Sequence, residues 1–313
     1  MHTCTPARPS VAILMCSFNG ERFIAEQIDS FERQTHVNWR LFVSDDGSQD
    51  QTLDIIQEYT LRWGRERLCL VPGEQQGFVK NFLTLTCRTD IEADYFAWAD
   101  QDDIWLDEKL ETALAWLKTI PASVPALYCG RTRLIDEAGA HLGFSPRFYL
   151  PPCFTNALVQ NIGGGNTMVF NQAARVLIQE AGNQLTIPSH DWWAYQLISG
   201  VGGMLRYDPQ PSVLYRQHNG NLVGSNCSWR ARHHRIKMML KGRFYNWNTQ
   251  NLHALGSMFH RLTKKNQSVL NHFKAARTRG LIPRVIGVLR AGLHRQTLFG
   301  TLGLMFAALI KKI

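Results

Sequence analysis

Along the first 130 positions, apolar residues come in short unbroken runs separated by stretches of helical period. Residues 11–16 (VAILMC) form one such run and end on a polar turn at 17–20. Phe23, Ile24, Ile28 and Phe31 then recur at the spacing of a single helix face. Residues 39–44, 68–71 and 95–99 read as further strands. Leu53, Ile56 and Leu61 mark a helix with Asp50 as its N-cap, and residues 78–87 and 106–117 mark two more. Strands apolar on both faces and alternating with helices predict an α/β fold, with a mostly parallel central sheet covered by helices on both sides. After residues 126–130 glycine and proline become frequent. Strands are expected at 167–170, 204–207 and 213–216, and a helix near Asp191. From Trp229 onward the pattern is a helical tail with amphipathic segments.

Charge divides the chain where the pattern changes. Residues 1–225 hold 17 Lys plus Arg against 25 acids, whereas residues 226–313 hold 17 bases and no acid. The last acidic residue is Asp208. An acidic body at 1–225 and a basic helical region at 226–313 are therefore expected as two units. Seven cysteines, at positions 4, 16, 69, 87, 129, 153 and 227, stand singly with no C-x-x-C spacing. That pattern predicts buried thiols in a reducing compartment and supports neither a zinc site nor a disulfide framework. The apolar run behind the polar start is too short for the core of a secretion signal, so a cytoplasmic protein is expected.

In an open parallel sheet, ligands gather at the carboxyl ends of the strands. Three predicted strands end on polar or acidic groups: Ser17 to Asn19, Asp45 to Ser48, and Asp100 to Asp103. Three carboxylates within the four residues 100–103 repel one another unless a cation stands among them. A hard divalent ion completed by phosphate oxygens suits them; the alternative is a cap for the helix near Trp105. One carboxylate of Asp45 and Asp46 is placed to accept a pyrimidine imide N–H; the alternative is a plain Asp-Gly turn. Neither a Walker A pattern nor a G-x-G-x-x-G follows the first strand. The glycines at 163–165 come too late for a phosphate cradle and point to close backbone approach. Asp191, beside Trp192 and Trp193, combines a candidate general base with aromatic faces for a sugar; its alternative role is a helix cap. Arg216 and His218 follow a strand end, where Arg216 could serve a diphosphate and His218 a metal or the diphosphate.

Taken together, residues 11–19, 43–52 (VSDDGSQDQT), 99–105 (ADQDDIW) and 189–193 resemble family 2 glycosyltransferases. Residues 77–82 (GFVKNF, with Asn81), 165–168 and 215–218 narrow the resemblance to the bacterial branch that builds O-antigen and other surface polysaccharides, including rhamnosyl- and glucosyltransferases. The match runs from about residue 11 to 224. It implies a GT-A fold, an inverting mechanism and Mg2+ or Mn2+. It also implies a UDP- or dTDP-sugar donor, held by Ser17, Asn19, Asp45, Asp46, Asn81, Asp100, Trp192 and Arg216. Asp102 and His218 would serve the metal, and Asp191 would be the base. His190 departs from the pattern, since many relatives carry an acid there.

The uncharged stretch 296–310 is shorter than the roughly 17–25 residues a membrane span needs. With Arg284, Arg290, Arg295, Lys311 and Lys312 around it, an interfacial helix is expected on an anionic membrane, where a lipid-diphosphate-linked acceptor would also lie. Nucleic-acid binding would use the basic tail but leaves the acidic strand ends without a purpose, and is not expected. A sugar nucleotidyltransferase, the nearer alternative, would need a glycine-rich loop that residues 15–20 lack.

Overall fold

The computed structural model describes residues 8–218, 241–278 and 280–313. The 225–226 boundary, the start of the tail at Trp229, and Cys4 and Cys227 lie outside those residues. Four parallel strands form the first half of the sheet: β1 (Val11–Ser17), β2 (Trp39–Asp45), β3 (Leu68–Pro72) and β4 (Tyr95–Ala99), in the order β3-β2-β1-β4. Helices α1 (Ile24–Glu32), α2 (Thr52–Trp63) and α3 (Phe78–Cys87) make the crossovers. All seven residues of β1 are buried, as a strand covered on both faces requires.

The second half of the sheet is mixed. β5 (Ile104–Trp105) comes first, followed by α4 (Lys109–Leu117), β6 (Ala126–Ile135) and β7 (His141–Phe144). After α5 (Phe154–Ala157) and a 3-10 turn at Gly165–Thr167 come β8 (Val169–Asn171), α6 (Gln172–Ala181), α7 (His190–Gly200) and β9 (Met204–Arg216). β8 runs antiparallel to both β4 and β6, and β9 runs parallel to β6. Parallel pairing is thus concentrated in the first half. The two short strands expected at 204–207 and 213–216 are one strand. Its register against β6 shifts between Gly130 and Thr132, so Pro209 and Pro211 fall where few ladder bonds are needed. The helix expected from 106 begins only at Lys109, because Ile104 and Trp105 pair with Leu214 and Val213 of β9. That pairing removes the reading of Asp102 or Asp103 as its cap.

Two apolar clusters sandwich the sheet. One joins α1, α2 and α4 to one face, through Ile28, Phe31, Ile56 and Leu114. The other contains α3, α6 and α7 and extends into the C-terminal helices α8 (Arg243–Ser257), α9 (Lys264–Thr278), α10 (Leu281–Arg290) and α11 (Leu298–Leu309). Leu255, Phe273, Val288 and Leu304 share that core with Trp193 and Leu197. The described cysteines are all free thiols.

Candidate active site

Strand register places the acidic groups on one edge. Ser17 pairs with Asp45 across β1 and β2, and Met15 pairs with Ala99 across β1 and β4. Asp100 therefore leaves the sheet beside Asp45 and Asp46. The Asp45 carboxylate is turned inward, accepting from the Ser17 hydroxyl at 2.7 Å, the Ser48 hydroxyl at 2.6 Å and the Gly47 and Ser48 amides at 3.1 and 2.8 Å. A carboxylate has about four acceptor positions, so Asp45 is fully engaged in holding its own turn. Among the described residues, Asp46 accepts only the Gln75 and Gly77 amides, at 2.7 and 2.8 Å, and keeps acceptor capacity for a ligand. Gly73 closes this pocket wall. A Cβ there would stand 2.8 Å from the Asp45 carbonyl and from Asp46 Oδ1, so the approach demands glycine. Asn81 is buried beneath, donating to the Ser44 carbonyl at 2.9 Å. Asn19, with φ of +47°, is exposed and accepts the Gln49 amide at 2.9 Å.

The 100–103 segment is fastened from both sides. Gln101 pairs with the backbone of Phe18, accepting its N–H at 2.8 Å and donating to its carbonyl at 3.0 Å. Asp103 is fully buried and accepts from Asn166 at 2.5 Å and from the Arg216 amide at 3.1 Å. These anchors fix the segment that carries Asp100 and Asp102 at the carboxyl edge of the sheet. Asp102 Oδ2 lies 2.7 Å from His218 Nε2, both side chains being less than a fifth exposed. Burial, followed by the charges of Asp102 and Asp191, pushes the Asp100 carboxyl up to about 8. Burial is the larger cause, and the neighbouring carboxylates add to it.

Asp191 sits in the first turn of α7. Its Oδ2 accepts the Gly165 amide at 3.1 Å, so the glycine run at 163–165 serves to orient it. Gly165 rests on His190, whose Nε2 would lie 2.4 Å from a Cβ at that position. His190 in turn stacks on Phe82 at 4.0 Å and meets Trp98 edge-on at 4.7 Å. Burial holds its imidazole neutral, lowering the pKa to about 4 despite the opposing pull of Asp191. In the unfolded chain the ring returns to 6.5, so between pH 6.5 and 4 only the unfolded state takes up its proton. The stability this group contributes is present above pH 6.5 and is lost as pH falls toward 4, by about 3 kcal/mol in total. His190→Leu is expected to flatten that slope in urea unfolding at pH 7 and pH 4.5. An unchanged slope would show that other groups carry it.

Two sequence expectations need correction. Trp192 is only 6% exposed, donates to the Ala157 carbonyl at 2.7 Å and packs edge-on to Trp247, so its ring presents no open face to a sugar. Trp193 is fully buried in the core. Arg216, 1% exposed, does not reach out for a diphosphate. Its guanidinium donates to the Asp102 carbonyl at 3.0 Å, the Glu137 carbonyl at 2.8 Å and the Glu26 carboxylate at 2.8 Å, and lies over the Phe23 ring. It ties helix α1 and the loops at Asp102 and Glu137 together, and Phe23 also flanks His218 at 5.2 Å. The sequence reading missed Gln101, Asp103, Asn166, Glu26 and Glu137. Gln101 and Asp103 lie in the 99–105 stretch and Asn166 in 165–168, so for these a signal was present; for Glu26 and Glu137 there was none.

Acidic side chains gathered at the carboxyl edge of a parallel half-sheet, with a carboxylate poised on a helix opposite, define the class of GT-A nucleotide-diphospho-sugar transferases. Glycosyl transferase family 2 matches residues 12–176, and the chain belongs to that family and is a glycosyltransferase. Over 239 residues it is 31% identical to the dTDP-rhamnosyl transferase RfbG of Shigella flexneri, covering 72% of this chain and 78% of that one. Over 156 residues it is 32% identical to the UDP-Glc:alpha-D-GlcNAc-diphosphoundecaprenol beta-1,3-glucosyltransferase WfgD of Escherichia coli, covering 50% and 57%. Among solved structures, TarS 1-349 of S. aureus superposes with a TM-score of 0.53 at 13% identity, covering 90% of each chain. The mannosyltransferase PcManGT of Pyrobaculum calidifontis, in complex with GDP-Man and Mn2+, superposes with 0.51 at 18% identity, covering 98% and 86%. These two likenesses establish the fold.

Proposed function

We propose that the protein is an inverting, metal-dependent transferase that moves a sugar from a UDP- or dTDP-sugar to a hydroxyl of a lipid-linked glycan in bacterial surface-polysaccharide or O-antigen synthesis. The observation that carries this reading is the convergence of Asp100, Asp102 and Asp191 at the carboxyl edge of the parallel half-sheet, where burial and the charges of Asp102 and Asp191 raise the Asp100 carboxyl. The activities of RfbG and WfgD, one using a dTDP-sugar and the other a UDP-sugar on a diphosphoundecaprenol acceptor, support the donor and acceptor classes.

A hard cation fits these residues. Among the described residues, no three His, Cys, Asp or Glu side chains form a ready-made metal cluster. Asp102 and His218 would hold Mg2+ or Mn2+ and the donor's phosphate oxygens would complete the set, as is usual for such ions. When bound, the ion supplies Lewis-acid stabilisation to the departing diphosphate. Asp46 accepts the pyrimidine imide, and Asp100 faces the ribose or sugar. Asp191 Oδ1 or Oδ2 takes the acceptor hydroxyl proton as that oxygen bonds to the anomeric carbon. The bond from that carbon to the diphosphate oxygen breaks on the opposite face, and its electron pair leaves with the nucleoside diphosphate. One displacement inverts the anomeric configuration. Gly165, Gln101 and Arg216 act earlier, by fixing where these carboxylates stand.

In this reading the protein is cytoplasmic and peripheral, on the inner-membrane face where lipid-linked acceptors are built. No helix among the described residues is long and apolar enough to cross a membrane. A thermal-shift panel of UDP, dTDP, GDP and CDP, each with Mn2+ or EDTA, tests the donor class. A ligand at about 100 times its Kd adds roughly 2.7 kcal/mol. A rise with UDP or dTDP that EDTA removes is expected. A rise with GDP alone would discard the reading of Asp46, and no rise with any nucleotide would count against the donor site.

A further inference from the structure

The last two helices carry large apolar side chains on their outward sides. In α11 the buried residues are Leu304, Ala307 and Ala308, whereas Leu298, Phe299, Leu302, Phe306 and Leu309 face outward. Phe299 is 86% exposed and Leu298 73%. At 100° per residue those five outward side chains share an arc of about 100°. α10 does the same: Arg284 and Val288 turn inward, while Ile282 and Leu289 are 68% and 60% exposed. Helices on the surface of a water-soluble domain show the opposite arrangement. A contiguous apolar face of this kind marks a binding surface.

Charge selects the occupant. Residues 226–313 contain 17 bases and no acid, and the exposed bases Arg290 and Lys311 stand at the ends of α10 and α11. A second copy would bring an equally basic region against this one, with no acid to pair it. An anionic lipid surface supplies both the hydrocarbon for the apolar residues and the charge for the bases. With 12 residues, α11 is about 18 Å long, against a hydrocarbon thickness of about 30 Å, so it suits a position along the interface.

We propose that the outward sides of α10 and α11 form a membrane-docking face that lies in the headgroup region of an anionic bilayer. A lipid-linked acceptor gives this docking its purpose, but the face rests on its own observations.

Sedimentation of the full chain with vesicles of phosphatidylcholine, with and without phosphatidylglycerol, tests it. The wild type is expected to pellet with the anionic vesicles and less with the neutral ones or in high salt. Leu298→Asn with Phe299→Asn, and separately Leu281→Asn with Ile282→Asn, are expected to cut partitioning at least about tenfold. Arg290→Gln with Lys311→Gln is expected to cut it about fivefold per base. These side chains are exposed, so melting temperature and nucleotide-induced shifts should stay at wild-type values. Equal pelleting of both apolar variants and the wild type would overturn the proposal. So would a wild-type dimer that Leu298→Asn with Phe299→Asn converts to monomer without any vesicle binding, because a second copy would then cover the face. Vesicle binding without any nucleotide shift would instead sink the donor reading and leave the docking face standing.

Discussion

Asp191→Asn is expected to lower sugar transfer by about a thousandfold while leaving nucleotide binding within about twofold of wild type. The amide keeps the size of the carboxylate and can still accept the Gly165 N–H through its oxygen, so the turn that carries it persists. It loses the ability to take a proton from the acceptor hydroxyl. The donor side of the site, built on β1, β2 and β4, does not use that oxygen. Single-turnover transfer together with a nucleotide thermal shift separates the two effects. Transfer within tenfold of wild type would remove Asp191 as the base.

Asp102→Asn is expected to cost at least about a hundredfold in turnover and to abolish the EDTA-sensitive part of the nucleotide shift. The reason lies in its pairing with His218 at 2.7 Å and in the charge around it. Asp102 is a partner of both Asp100 and Asp103 in raising their carboxyl pKa values. Loss of the metal-supported shift, with the EDTA-insensitive shift retained, distinguishes a ligand from a structural residue. A variant that keeps a full Mn2+-dependent shift would place the cation elsewhere.

The first half of the fold was legible because buried parallel strands leave long apolar runs such as residues 11–16 and 95–99. β5 has two residues, too few to show a period; the strand expected at 167–170 is present as β8, but its antiparallel direction has no local signature. The positions of the acidic strand ends followed from the same runs, but side-chain direction did not. Arg216 after a strand reads identically whether it meets a diphosphate or two carbonyls and the Glu26 carboxylate. Trp192 beside Asp191 looks like a sugar platform until the helix buries it. Asp45 and Asp46 are adjacent and chemically alike, and only the hydrogen bonds show that one holds its turn while the other keeps room for a ligand. In α11 every turn carries apolar residues, so no period reveals which side faces out.

The most direct test of the central claim is to incubate the protein with UDP- and dTDP-sugars and a lipid-diphosphate acceptor, and to measure the phosphorus-containing product with Mn2+ and with EDTA. Release of nucleoside diphosphate, matched by sugar on the acceptor, is expected with Mn2+ and not with EDTA. Release of pyrophosphate, or equal transfer in EDTA, would contradict it.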